Sequence, residues 1–259
     1  MQVFKLFGLL ICLLLNKRSV AQTDMQQVDY SRISQQLLYA VKAGSDSVDA
    51  FMQQLQAADA STLQAQLTNE ALKKAFWLNI YNTYVQWLLQ KDPERYKSRS
   101  SFFSGRQITI ASKTLSLDDI EHGILRHSKI KWSLGHLNKL FPGQFEKDFR
   151  MQKMDYRIHF ALNCGAKSCP PIAYYAPEKI DAQLEMATKN YLRSEVEYDA
   201  GKNVAYLPAI MGWFRVDFGG KKGMRAILKK HNIIQQQKPA IRFKKYNWDL
   251  FLNNYNTDS

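Results

Sequence analysis

Cysteine is scarce in this chain of 259 residues. There are 3, too few for a dense disulfide framework or for a zinc site built from four thiolates. Acidic side chains are in deficit too, 23 against 36 Lys and Arg, which gives a formal charge of +13. That imbalance bears on solubility and anionic partners, not on fold. The 12 glycines and 7 prolines gather into no linker, and no internal repeat or low-complexity tract is present, so one domain is expected. What is abundant is apolar surface. A hydrophobic content of 46% with 12% aromatics excludes a disordered or fibrous chain and allows a sizeable core.

The longest apolar run is short and lies at the start. Lys5 precedes Leu6 to Leu15, and the segment closes on Ser19-Val20-Ala21, small residues where signal peptidase needs them. Ten residues are about half of what spans a bilayer. The expectation is therefore a signal peptide over residues 1–21, with export to a periplasmic or extracellular compartment; a membrane anchor is the competing reading. Leu10-Ile11-Cys12 is no lipoprotein box, so Cys12 leaves with the peptide and the mature chain keeps Cys164 and Cys169. Residues 201–250 carry 11 Lys and Arg against 2 Asp. This basic C-terminal part is either a solvated face or a surface for an anionic envelope polymer or lipid. No nucleic-acid-binding motif is present, and none is expected in an exported chain.

The order of elements reads as α+β. Residues 22–69 predict helices: Asp29 caps one carrying Ile33, Leu37, Leu38 and Val41, Gly44 ends it, and Ser47 starts another. Asn69 caps a long helix from Glu70 to Gln90, apolar on more than one face and therefore central. A hairpin follows at Gln107 to Leu115, then a helix opened by the capping box Ser116-x-x-Asp119. Arg157 to Leu162 alternates with period two and predicts a strand. A helix from Pro177 to Arg193, a strand at Asn203 to Leu207, a helix near Lys221–Lys230 and a strand near Ile241–Phe243 complete the chain. The expected architecture is a helical N-terminal part and a long buried helix packed on a small, mostly antiparallel sheet.

Three segments, AFWLNIYNTYVQWLL (75–89), LSLDDIEHGILR (115–126) and IHFALNCGAKSCPPI (158–172), together resemble the family known as domain of unknown function 547, found in exported bacterial proteins and in plant proteins. YNWDLFLN (246–253) is similar to the family's terminal segment, so the resemblance spans about residues 70–253. It implies a shared fold and carries no established reaction. Asn247 stands where the family usually has an aspartate.

Chemistry concentrates in these segments. Asn79 and Asn82 share a helix face, and buried amides must be hydrogen-bonded: either they clamp loop backbone, or Asn82 orients a catalytic group. His122 has Asp118 four residues before it and Arg126 four after, and Glu121 beside it could serve as base instead. Cys164 and Cys169 support three readings: a disulfide stapling the loop, a nucleophilic thiolate activated by His122 or His159, or a metal site whose spacing matches no standard set. His159 is either a satisfied core histidine or the thiol's base. No cofactor and no metal are expected. The candidate site is thus Asn82, Glu121, His122, His159, Cys164 and Cys169. It serves either a Cys-His thiol hydrolase or transferase, or a non-enzymatic binding module stapled by the cysteines and using its basic surface.

Overall fold

The computed structural model describes residues 28–234 and 238–256, so the expected signal peptide lies outside the described residues. Helix α1 (Tyr30–Ala43) begins at Asp29, whose carboxylate accepts from the Arg32 N–H, and stops at Gly44 in the left-handed conformation at φ 63°, the backbone state glycine reaches without steric cost. Helices α2 (Val48–Ala57) and α3 (Ala60–Gln66) lead to α4 (Glu70–Lys91). Asn69 caps α4 by accepting from the Leu72 N–H.

Every residue of α4 from Ala75 through Gln86 is buried. That follows from a sequence with no polar stripe wide enough to face water. Phe76, Ile80 and Tyr84 are packed as expected, while Trp87 is half-buried at the edge of the same core and meets Tyr84 edge-on at 6.0 Å.

Helix α5 (Arg99–Ser104) precedes the hairpin of β1 (Ile108–Ile110) and β2 (Lys113–Leu115), paired Ile108 to Leu115 around a turn at Ala111-Ser112. The capping box forms reciprocally: the Asp119 N–H donates to Ser116 Oγ at 2.9 Å, and the Ser116 N–H to Asp119 at 3.0 Å. The segment it opens, Asp119–Leu125, is wound as a π-helix. Helix α6 (Gln144–Phe149) then leads to the expected strand.

That strand is not formed. Tyr156–Phe160 is a turn of 3-10 helix, capped by Asp155, which accepts from the Arg157 backbone and guanidinium at 3.1, 3.0 and 2.9 Å. Ile158, His159 and Phe160 are all buried. Alternation carries information only when one face meets water, and here both faces are covered. Asp155 is itself held low, to about 2: burial pushes it up, but the Arg157 and Lys74 cations outweigh burial.

Helix α7 (Ile180–Glu195) precedes the second sheet, in which β3 (Glu197–Asp199) pairs antiparallel with β4 (Val204–Leu207). Helices α8 (Ala209–Trp213) and α9 (Gly220–Lys230) make the crossover to β5 (Ala240–Phe243), parallel to β4 in register Val204 to Ala240. The chain is α+β with a helix-rich first part, and among the described residues the strands form two small sheets, one antiparallel and one mixed. The last segment matters most for the site. Residues 246–256 run as a strap along the 164–172 loop: Lys167 donates to Asp249, Ser168 to Asn247, Phe251 to Gly165 and Ile172 to Asn254, all backbone to backbone. No helix among the described residues is long and apolar enough to cross a membrane.

Candidate functional site

Three amides on one face of α4 build the base of the site. Asn79 grips Tyr175 from both sides, its Nδ2 donating to the carbonyl at 2.8 Å and its Oδ1 accepting from the N–H at 3.0 Å. Asn82 does the same one turn on, donating to Ala161 O at 3.0 Å and accepting from the Asn163 N–H at 2.9 Å. Gln86, a further turn along, donates to Asn163 Oδ1 and accepts from the Asn253 N–H. The spacing i, i+3, i+7 places all three over the chain that crosses the helix. Asn82 therefore acts on backbone and does not line the cavity described below. Asn163 passes the restraint on, accepting from Gly165 N and donating to Pro170 O.

The loop so held is closed by a disulfide between Cys164 and Cys169, whose Cα atoms lie 6.1 Å apart. Neither sulfur is a thiolate in this state, and nucleophilic attack by either requires prior reduction. The Tyr246 hydroxyl, delivered by the strap, sits 3.1 Å from both sulfurs.

Beside the disulfide opens a cavity of about 360 Å³. Glu121, His122, His159, Cys164 and Cys169 all line it, so five of the six expected residues converge on one concavity. Its remaining wall is mainly aromatic, with Tyr81 and Phe103 on one part of the chain and Trp213, Phe214, Tyr246 and Trp248 on another. Trp213, Tyr246 and Trp248 pack on one another at 4.5–5.4 Å between ring centres.

The polar groups are arranged with fixed proton positions. Arg126, wholly buried, donates from its Nε to Asp217 at 2.7 Å and from a terminal nitrogen to His122 Nδ1 at 2.9 Å. A guanidinium only donates, so His122 must accept at Nδ1 and carry its proton on Nε2, 3.6 Å from Asp118. Burial, and then the Arg126 charge, pull its pKa down to about 3. His159 donates from Nε2 to the same Asp217 oxygen at 2.9 Å, and its Nδ1 has no hydrogen-bond partner among the described residues. Burial lowers its pKa as well, against the opposing pull of Asp217. Asp217 lies below the usual carboxylate range because hydrogen bonds from His159 and Arg126 overcome burial.

Both imidazoles are therefore neutral at pH 7. His122 presents an N–H donor and His159 an acceptor lone pair. Glu121 accepts from the Tyr81 hydroxyl at 3.1 Å, while burial and the Glu121 carboxylate hold that phenol well above its ordinary pKa. Glu121 and His122 owe their placement to the π-helical turn, a winding that recurs at functional sites. A Cβ at its Gly123 would meet Glu146 Oε2 at 2.8 Å, so a side chain there would push that carboxylate away from Lys139.

Residues 64–192 match the model of the family described as a protein of unknown function, DUF547. The chain belongs to this family. The matched DUF547 segment contains α4, the π-helical turn and the disulfide loop, and it ends within α7. Asp217 and the aromatics Trp213, Phe214, Tyr246 and Trp248 lie beyond it, as does the resemblance read from residues 246–253. No curated protein and no solved structure matches.

Sequence reasoning missed Asp217, one of two acids in a basic stretch, and Gln86, whose register with Asn79 and Asn82 was a usable signal. Among the described residues no group of three or more His, Cys, Asp or Glu has metal-holding geometry. The arrangement can enclose a small, largely apolar molecule, offer it oriented donors and acceptors, and shield it from water.

Proposed function

We propose that the protein is an exported binding module whose site is the aromatic cavity beside the Cys164–Cys169 disulfide. The observation that carries this reading is the pairing of the two sulfurs inside the cavity wall, which makes them structure and leaves the enclosed volume as the functional element. Export is part of the proposal, because a lone disulfide persists in an oxidising compartment. The basic C-terminal part would then hold the module at an anionic envelope surface, with Lys221, Lys222 and Lys229 exposed along α9.

The test is a calorimetric titration of the oxidised protein with indole. Saturable binding that disappears in an Ile210→Trp variant, which fills the cavity, supports the module. A linear, non-saturating response in the parent protein would remove it.

A second reading is favoured by one observation, the presence of His122, His159 and both sulfurs around the same cavity. In it, an external dithiol reduces the disulfide, taking up its own oxidation while both sulfurs gain protons. His159 Nδ1 then receives the proton of Cys164, the thiolate adds to the acyl carbon of an ester, the ester C–O bond breaks with that proton passing to the departing alcohol, and water cleaves the thioester to regenerate the thiol. Hydrolysis of 4-nitrophenyl acetate that appears only after dithiothreitol, and is lost in Cys164→Ser, would establish this thiol enzyme in place of the module.

A further inference from the structure

Among the charges around the cavity, one is left over. Asp118 is neutralised by Lys131 at 2.8 Å and Asp217 by Arg126 at 2.7 Å. The two histidines are uncharged. Glu121 remains: its side chain is 14% exposed and its one ion-pair-range neighbour is neutral His122, at 3.7 Å. Only one of its oxygens has a hydrogen-bond donor, the Tyr81 hydroxyl. A carboxylate so nearly desolvated is destabilised unless a cation approaches it. No Lys or Arg among the described residues lies within ion-pair distance of it.

A second, independent group points the same way. His159 has a side chain 1% exposed, and among the described residues its Nδ1 lone pair has no donor to accept from. Both groups ask for N–H. The surroundings say what must carry it: the wall is rich in aromatic rings, whose electron-rich faces attract cations, and while Arg126 and Arg99 already lie over Phe214 and Trp248, no cation among the described residues lies over Trp213 or Tyr246, in a volume that suits a body of one or two rings.

We propose, building on the cavity as the ligand site, that its ligand is an organic cation: an ammonium group on an aromatic or compact apolar body. The ammonium pairs with Glu121 and donates to His159 Nδ1, while the body lies against Trp213, Phe214 and Trp248. An anionic ligand would instead place its charge beside Glu121 and in contact with an acceptor nitrogen.

Calorimetric titration of the oxidised full chain with three probes of matched shape tests this: 2-phenylethylamine, 2-phenylethanol and 3-phenylpropionate. The amine is expected to bind about tenfold tighter than the alcohol, a difference of about 1.4 kcal/mol, with the carboxylate weakest. Glu121→Gln keeps an acceptor for Tyr81 and should bring the amine's affinity down to about that of the alcohol measured on the same variant. Lys131→Ala, at an exposed position that folding tolerates, frees Asp118 and should strengthen the amine further. Equal binding of all three probes, or tighter binding of the carboxylate, overturns the cation and leaves the cavity reading standing. Binding of none up to millimolar concentrations overturns both. A Lys131→Ala variant that weakens the amine counts against the charge argument even if Glu121→Gln fails to fold.

Discussion

His159 lies flat on Phe214, with ring centres 4.0 Å apart and planes 12° from parallel. The imidazole is thereby fixed by one stacked ring and one hydrogen bond to Asp217, and Asp217 also carries buried Arg126. One carboxylate is the charged partner of both groups. Asp217→Ala should cost about 3–5 kcal/mol, because it strands a buried guanidinium. Urea denaturation measures this, and a loss under 1 kcal/mol would show that Arg126 finds another partner.

The two neutral histidines make stability depend on pH. The His122 pKa falls to about 3 in the fold and that of His159 is also lowered, whereas the unfolded chain takes up their protons near the ordinary value of about 6.5. Above that pH both states are neutral and the histidines contribute no slope. Below it the unfolded state binds more protons, so stability falls by about 1.4 kcal/mol per pH unit for each histidine in its window. Asp217, lowered in the fold, adds a loss at still lower pH. Denaturation midpoints should decline from pH 6.5 downward, and His122→Gln should flatten part of that decline. A flat profile from pH 7 to 5 would contradict the buried neutral pair.

Asn82→Ala removes both ends of a backbone clamp. Ala161 O and the Asn163 N–H are then left buried and unpaired, at about 1–3 kcal/mol for each orphaned group. The disulfide loop should also loosen, with faster amide exchange at Gly165. Unchanged exchange there would mean that Gln86 and the strap position the loop without Asn82.

Reduction should be felt modestly in stability and strongly in the site. Closing so short a loop is worth about 2 kcal/mol in the chain-entropy picture. Iodoacetamide should label neither Cys164 nor Cys169 before reduction and both after it, as read by peptide mass mapping. Labelling of Cys164 without reductant would refute the disulfide and revive the thiol nucleophile.

Much of the fold was legible because it rests on local rules. Asp29, Gly44, Asn69 and the Ser116-x-x-Asp119 box mark helix ends through hydrogen bonds that span at most five residues, and α4 declares its burial by lacking a polar side. Residues 157–162 misled because a segment buried all round keeps an apolar pattern whatever its winding. The convergence of Glu121, His122, His159 and the cysteines followed from their clustering in the segments shared with the family. Asp217 and Trp213 could not be placed that way. Their roles come from a turn after β4 that brings them back over the histidines, and no local spacing records such a return.

The strap has a consequence for biogenesis. A nascent chain that has emerged only as far as residue 192 has all of the matched family segment and both cysteines, yet it lacks the acid that anchors Arg126 and four of the aromatic walls. Oxidation of Cys164 and Cys169, five residues apart, can precede completion of translation. The cavity cannot. Its wall needs Tyr246 and Trp248, so any molecule that occupies it can meet the full site only after the chain has been made through residue 248.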